Sequence, residues 1–218
     1  MTSSIEVLAE EVALSGEAPG TDPLEGPAPL EAADRLAGTD PLEDIARRLL
    51  VEIGEDPQRD GLRDTPGRFA RWWREFTQHD PGSVDTVFET TASGSLVAVS
   101  GIDVWSLCEH HLLPFSCRVT IGYLPREHIL GLSKFARVAH RHAHRLQSQE
   151  QLTQDIADDI EKLTGSPDVA VIGRGEHLCM AMRGVRTPAT MTTAVWRGAL
   201  KDNALRQELT ALTGENRH

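Results

Sequence analysis

Basic residues are almost missing from the first forty positions, aromatic residues are scarce throughout, and no long apolar run occurs in the 218 residues. Each shortage excludes something. Residues 1–40 hold nine Asp or Glu against a single basic residue, Arg35, so they carry a formal charge of −8, and the other 178 residues carry only −3 of the total of −11. A body so near neutrality lacks the basic patch of a nucleic-acid protein, and no nucleic-acid partner is expected. The opening MTSSIEVLAEEVALSGEA has neither the basic start nor the apolar core of a secretory signal. No stretch approaches the roughly 18 apolar residues that a membrane helix needs, so no membrane partner is expected either. Three cysteines, Cys108, Cys117 and Cys179, are too few and odd in number for a disulfide framework. They read as reduced thiols, and the expected location is the cytoplasm.

Residues 1–40 are rich in Ala, Gly, Pro and Glu and cannot bury enough apolar surface to offset their ordering entropy, so an acidic disordered tail with patchy helicity is expected. The word GTDPLE occurs in it at 20–25 and again at 38–43, where Asp40 and Pro41 read as the N-cap and first position of a helix. In PLEDIARRLLVEI the residues Leu42, Ile45, Leu49 and Ile53 share one helical face, and Gly54 ends it. Thr65-Pro66 reads as a second N-cap and proline before GRFARWWREFTQH. From about Val84 the texture changes to short runs rich in Val, Ile and Thr, namely VDTVFETT, SLVAVSGIDVW, CRVTIGYL, DVAVIGRG and TMTTAVW. Helical patterns intervene at about 133–148 and 150–164, and a last one lies near 202–213. This order predicts an α+β fold with N-terminal helices at 41–80, a core at 84–200 and a C-terminal helix within 201–218.

The 133–148 pattern carries Lys134, Arg137, Arg141 and Arg145 and no acid, while the next helix carries Asp155, Asp158, Asp159 and Glu161. Two readings follow. The helices neutralise each other, or an anion binds at the first helix's N-terminus, where Ser133 and Lys134 sit beside free backbone N–H groups.

The strongest chemistry lies in L107-C-E-H-H-L-L-P-F115. Cys108 and His111 have a C-x2-H spacing that can place a thiolate and an imidazole on a borderline cation. The distant E176-H-L-C-M-A-M-R-G184 adds His177 and Cys179, which would face the same way on a strand. Cys108, His111 and Cys179 would make a three-ligand set with one open position, the pattern of catalytic zinc; a closed structural set using one more histidine is the alternative. In the first case His110 and His177 stay available for proton transfer. Cys117 reads as a packed core thiol.

Read together, SLCEHHLLPF, IGYLPREHILGLSKFARV, QSQEQLTQDIA and HLCMAMRGV, with DTPGR at 64–68, resemble the GTP cyclohydrolase I family over roughly residues 41–214. The resemblance implies a tunnelling fold, in which antiparallel sheets of several subunits close a barrel, commonly in a homodecamer with active sites at subunit interfaces. It implies conversion of GTP and water to 7,8-dihydroneopterin triphosphate and formate, the first step towards folate and tetrahydropterins. Cys108, His111 and Cys179 would hold Zn2+, which activates water for attack at C8 of guanine. His177 would supply the proton for ring opening, His110 would assist, and Ser133 would serve the later sugar rearrangement. Glu150, beside Gln149, would hold the guanine edge; Lys134, Arg137 and Arg183, with Arg68 of another subunit, would surround the triphosphate. The sequence departs from the family pattern at Ser116-Cys117-Arg118 and at Gln151. Two other readings stay open: a paralogue making a specialised pterin or deazapurine precursor, and a catalytically silent nucleotide-binding homologue.

Overall fold

The structure, a computed structural model, describes residues 40–84, 87–89, 94–126 and 128–214. The acidic tail and the first GTDPLE word lie outside them. Helices α1 (Pro41–Glu52) and α2 (Thr65–Thr77) come first. Acidic Glu43 and Asp44 occupy the first turn of α1, where the helix dipole favours them, and Arg47 one turn later bonds both at 3.1 and 3.0 Å. Helix α2 is capped one residue earlier than expected: Asp64 is the N-cap, Thr65 is already helical and Pro66 sits in the first turn.

A five-stranded sheet follows, in the order β5-β2-β3-β6-β7. Strands β2 (Val97–Cys108), β3 (Pro114–Tyr123), β6 (Val169–His177) and β7 (Thr190–Trp196) are antiparallel neighbours, and β5 (Leu146–Gln147) adds a short parallel edge beside β2. Two three-residue strands, β1 (Val87–Glu89) and β4 (His128–Leu130), pair separately. The fold is therefore α+β with a mainly antiparallel sheet.

Helices α3 (Leu132–Ala143) and α4 (Gln149–Thr164) cover one face of the sheet. On α4, Leu152, Ile156 and Ile160 recur every four residues and are fully buried, each worth about 1.5–3 kcal/mol on leaving water. Phe135, Val138 and Ala139 of α3 complete that core against Val104, Ile121 and Tyr123. A smaller core forms on Ala170 and Ile172, where a 3-10 turn (Gly198–Lys201) supplies Leu200 and helix α6 (Asn203–Leu212) supplies Leu209.

The single helix expected over 133–148 stops at Ala143, and the chain then crosses as β5 before Ser148 caps α4 by accepting from the Gln151 N–H at 3.2 Å. The charge balance between α3 and α4 is real but partial. Arg141 meets Asp159 at 3.5 Å and Arg145 pairs with Asp155, whereas Asp158 and Glu161 both serve Arg197.

The candidate active site

Strand β2 delivers Cys108 at its last residue, and a tight return to β3 presents His111 beside it. The turn closes through the Leu112 N–H on Cys108 O and the Cys108 N–H on Leu113 O, both at 2.9 Å. Leu112 takes a left-handed φ of 56°, an arrangement that side-chain-bearing residues avoid at a cost of about 1–3 kcal/mol, so the surrounding pairs must impose it. The result is Cys108 Sγ at 3.6 Å from His111 Nδ1.

Cys179 arrives from another direction and not as expected. Strand β6 ends at His177, and residues Leu178–Ala181 form a single helical turn, α5. Alternation along a strand therefore does not place Cys179; the turn after the strand does. One donor atom from each of Cys108, His111 and Cys179 lies within 4.8 Å of the other two. Typical bond lengths of 2.3 Å to sulfur and 2.0–2.1 Å to nitrogen place tetrahedral ligands about 3.5–3.6 Å apart, which is the Cys108–His111 separation. Burial runs from the buried Cys108 to the exposed His111, so the set is open on one side. Burial, then the adjoining Cys108 thiol, pushes the Cys179 thiol up. A divalent cation bound there would favour the thiolate form of Cys179 against that upward push. The donor set fits a metal ion. Arg183 closes on the outer nitrogen of the same imidazole, His111 Nε2.

His177 stands beside this set, held on two sides. Its ring stacks on Phe115, its cross-strand partner in β3, with centroids 4.5 Å apart and planes 8° from parallel. Its Nε2 lies 3.0 Å from Gln149 Oε1. The Gln149 amide nitrogen donates to Gly173 O, Met191 O and Thr193 Oγ1 at 3.0–3.2 Å. Two backbone carbonyls, Gly173 O and Met191 O, can only accept and so fix that end as the nitrogen; Oε1 therefore accepts and His177 Nε2 carries the proton. Burial pushes the His177 imidazole down, and the Glu150 carboxylate works against that shift.

Gln149 itself is fully buried, which makes it a support for His177; Glu150, one residue on, is exposed in the first turn of α4. Lys134, on α3, is buried, and its Nζ donates to Ser83 O at 2.7 Å; Arg137 donates to the same carbonyl at 2.8 Å. Ser133 is exposed at the start of α3. His110 is exposed and lies 4.0 Å from the Glu109 carboxylate. Arg68 is exposed on α2, donating to Asp64 at 3.2 Å. Cys117 is buried, and burial pushes its thiol up to about 12, which makes it a packed core residue. Sequence reasoning missed Phe115 and Ser83, a ring beneath His177 and a carbonyl that collects two cations. Neither has a local signal, because both roles depend on strand register or on a chain crossing.

A model of the GTP cyclohydrolase I family matches residues 42–214. The GTP cyclohydrolase 1 of Hyperthermus butylicus is 47% identical over 169 residues, covering 77% of this chain and 87% of that protein. That of Sulfurihydrogenibium sp. is 46% identical over 152 residues, 69% of this chain and 81% of that one. That of Corynebacterium aurimucosum is 46% identical over 168 residues, 74% and 86% respectively. The matched span contains both arms of the Cys108–Cys179 cluster and nearly every described element, and with it the chain belongs to the GTP cyclohydrolase I family.

Proposed function

We propose that this protein converts GTP and water to 7,8-dihydroneopterin triphosphate and formate. The observation that carries the reading is the convergence of Cys108, His111 and Cys179 beside a histidine whose tautomer is fixed. The thiol-rich set favours zinc, which when bound would supply Lewis acidity for the hydrolysis at C8. With Nε2 of His177 committed to Gln149, proton traffic to the substrate runs through Nδ1, and the Phe115 stack keeps that nitrogen aimed in one plane. His110, exposed on the turn, assists once substrate covers it.

Glu150 recognises guanine. A carboxylate accepts the N1 and 2-amino N–H donors together, a pair that adenine does not offer. Arg183 and Arg137 meet the triphosphate, with Arg68 supplied by a neighbouring copy, since its own α2 leaves it exposed. Lys134 contributes at closer quarters, with one of its three donors held by Ser83 O. Ser133 serves the later sugar rearrangement.

The assembly we infer is a homo-oligomer, decameric in the family's usual way, with tunnelling-fold sheets joined edge to edge. Its support is unpartnered apolar surface. Ile45 and Leu49 on the apolar face of α1, and Ile53 just after it, are 50–64% exposed, and Trp105 on β2 is 56% exposed. Among the described residues no helix is long and apolar enough to cross a membrane, and all three thiols are free, in keeping with a reducing cytoplasm.

The test is to incubate zinc-loaded protein with GTP and follow formate and pterin absorbance together. Both products support the reading. Formate alone would indicate a paralogue that stops after ring opening, and neither product would indicate a silent nucleotide binder.

A further inference from the structure

Three histidines meet where α2 and α3 end, apart from the site built on Cys108. His79 follows α2, His140 lies in the last turn of α3, and His144 caps that helix. One ring nitrogen of each lies within 4.8 Å of the other two. The four-residue spacing of His140 and His144 puts both on one side of the helix end, and His79 is brought to them by tertiary packing. None of the three falls within the sequence words that carry the family resemblance, which skip positions 139–146.

Two further contacts bear on what this cluster can do. The His144 Nδ1–H donates to Phe76 O at 3.1 Å, which leaves Nε2 as a lone pair held in a fixed direction. A backbone carbonyl on the far nitrogen is the usual way an imidazole is oriented towards a metal. The Nδ1 atom of His140 is buried and has no hydrogen-bond partner among the described residues. A ring nitrogen buried without a partner loses its water without recompense, and in the tautomer that leaves it a lone pair a cation can take water's place. Burial, then the charge of His79, pushes the His140 and His144 imidazoles down, which keeps them in the neutral form that binds metals. His79 is exposed and stacks on His144 with centroids 3.9 Å apart and planes 15° from parallel. Parallel rings aim their lone pairs side by side, so His79 must turn about its side-chain torsions to share an ion, and its exposure leaves it room to do so.

We propose that His79, His140 and His144 form a second metal site, for a divalent first-row transition ion of zinc type, which ties the end of α2 to the end of α3. Three imidazoles leave one position to water or a small anion, and all-nitrogen ligation separates this site chemically from the thiol-rich one.

Cobalt distinguishes the two sites. Metal-stripped full-length protein is titrated with Co2+ and followed by near-ultraviolet thiolate charge transfer and by visible d–d bands. The expected stoichiometry is two ions per chain, falling to one in His79→Ala with the thiolate band undiminished. In the double variant Cys108→Ala/Cys179→Ala one ion remains, with d–d bands alone, and Zn2+ raises its melting temperature; adding His79→Ala removes both effects. Saturation of the unaltered chain at one thiolate-bound ion, or a second ion persisting in His79→Ala, would overturn the proposal. His79 is exposed, so its truncation leaves the fold standing, and circular dichroism checks that directly. A missing thiolate band would count against the Cys108 site alone, because the histidine site reads out separately.

Discussion

His177 donates its Nε2 proton to Gln149 Oε1 at 3.0 Å, and Gln149 is itself locked by donating to two backbone carbonyls, Gly173 O on β6 and Met191 O on β7. The relationship lets a buried amide choose the tautomer of a surface-accessible imidazole. Replacing it, as Gln149→Leu, removes the choice without touching a ligand of the cluster. The expected result is a fall in kcat of about 10–100-fold with KM for GTP and metal content little changed. Stability should fall by about 1–3 kcal/mol as the backbone acceptors lose their donor. Steady-state kinetics with a urea titration would check both; a KM effect alone would place Gln149 on the substrate instead.

Gly175 supplies a second route to the same residue. A Cβ built there would collide with Gln149 Oε1 and approach Ser116 O to 2.6 Å. Gly175→Ala should therefore reproduce the kinetic defect of Gln149→Leu while costing about 1–3 kcal/mol through overpacking. An alanine variant with unaltered kcat would show that the strand can shift away and that the amide's position is not critical.

Loss of one thiol should empty the thiol-rich site. Cys179→Ala leaves one sulfur and one imidazole, too few donors to hold a catalytic ion against water and chelators. Its formate release should drop by more than about 100-fold, and the metal at that site should disappear with it. Since the histidine cluster is proposed to bind as well, the informative readout is thiolate charge transfer with Co2+ rather than total metal. Persistence of that band in Cys179→Ala would sink the ligand assignment.

The cluster's chemistry was legible in the sequence because thiols and imidazoles at C-x2-H spacing have few other reasons to adjoin, and the turn from Cys108 to Leu113 keeps that proximity local. Cys179 was legible as a partner but not as a conformation. His177 and Cys179 read as alternating strand positions, yet the strand stops at His177 because the chain must bend into α5 to bring the sulfur round. The apolar pattern of α1 was helical as far as Glu52, one residue short of Ile53, while its destination was not readable, since Ile45, Leu49 and Ile53 remain exposed on the chain. Lys134 and Arg137 read as anion-binding cations; a carbonyl some fifty positions earlier, at Ser83, takes one donor from each, a contact that periodicity along α3 cannot show.

Asp168 should make the fold acid-sensitive. It is 5% exposed, accepting the Ala199 N–H at 2.8 Å with one oxygen and Arg126 Nη2 at 2.8 Å with the other, and so anchors the 3-10 turn behind β6. Burial alone would raise its carboxyl, but the Ala199 N–H and the Arg126 guanidinium outweigh burial and hold it below the usual range. A carboxyl depressed in the folded chain contributes stability that is complete above its unfolded value, about 3.9, and that is lost as pH falls through the lower folded value. Asp168→Asn keeps the size and removes the charge, so it should cost about 1–3 kcal/mol near neutrality. The gap between the two proteins should stay constant from about pH 5 to 8 and narrow below about pH 4. Urea midpoints measured across that range would decide it: a gap that persists at pH 3 would mean that packing of the turn, and not the carboxylate charge, is what Asp168 provides.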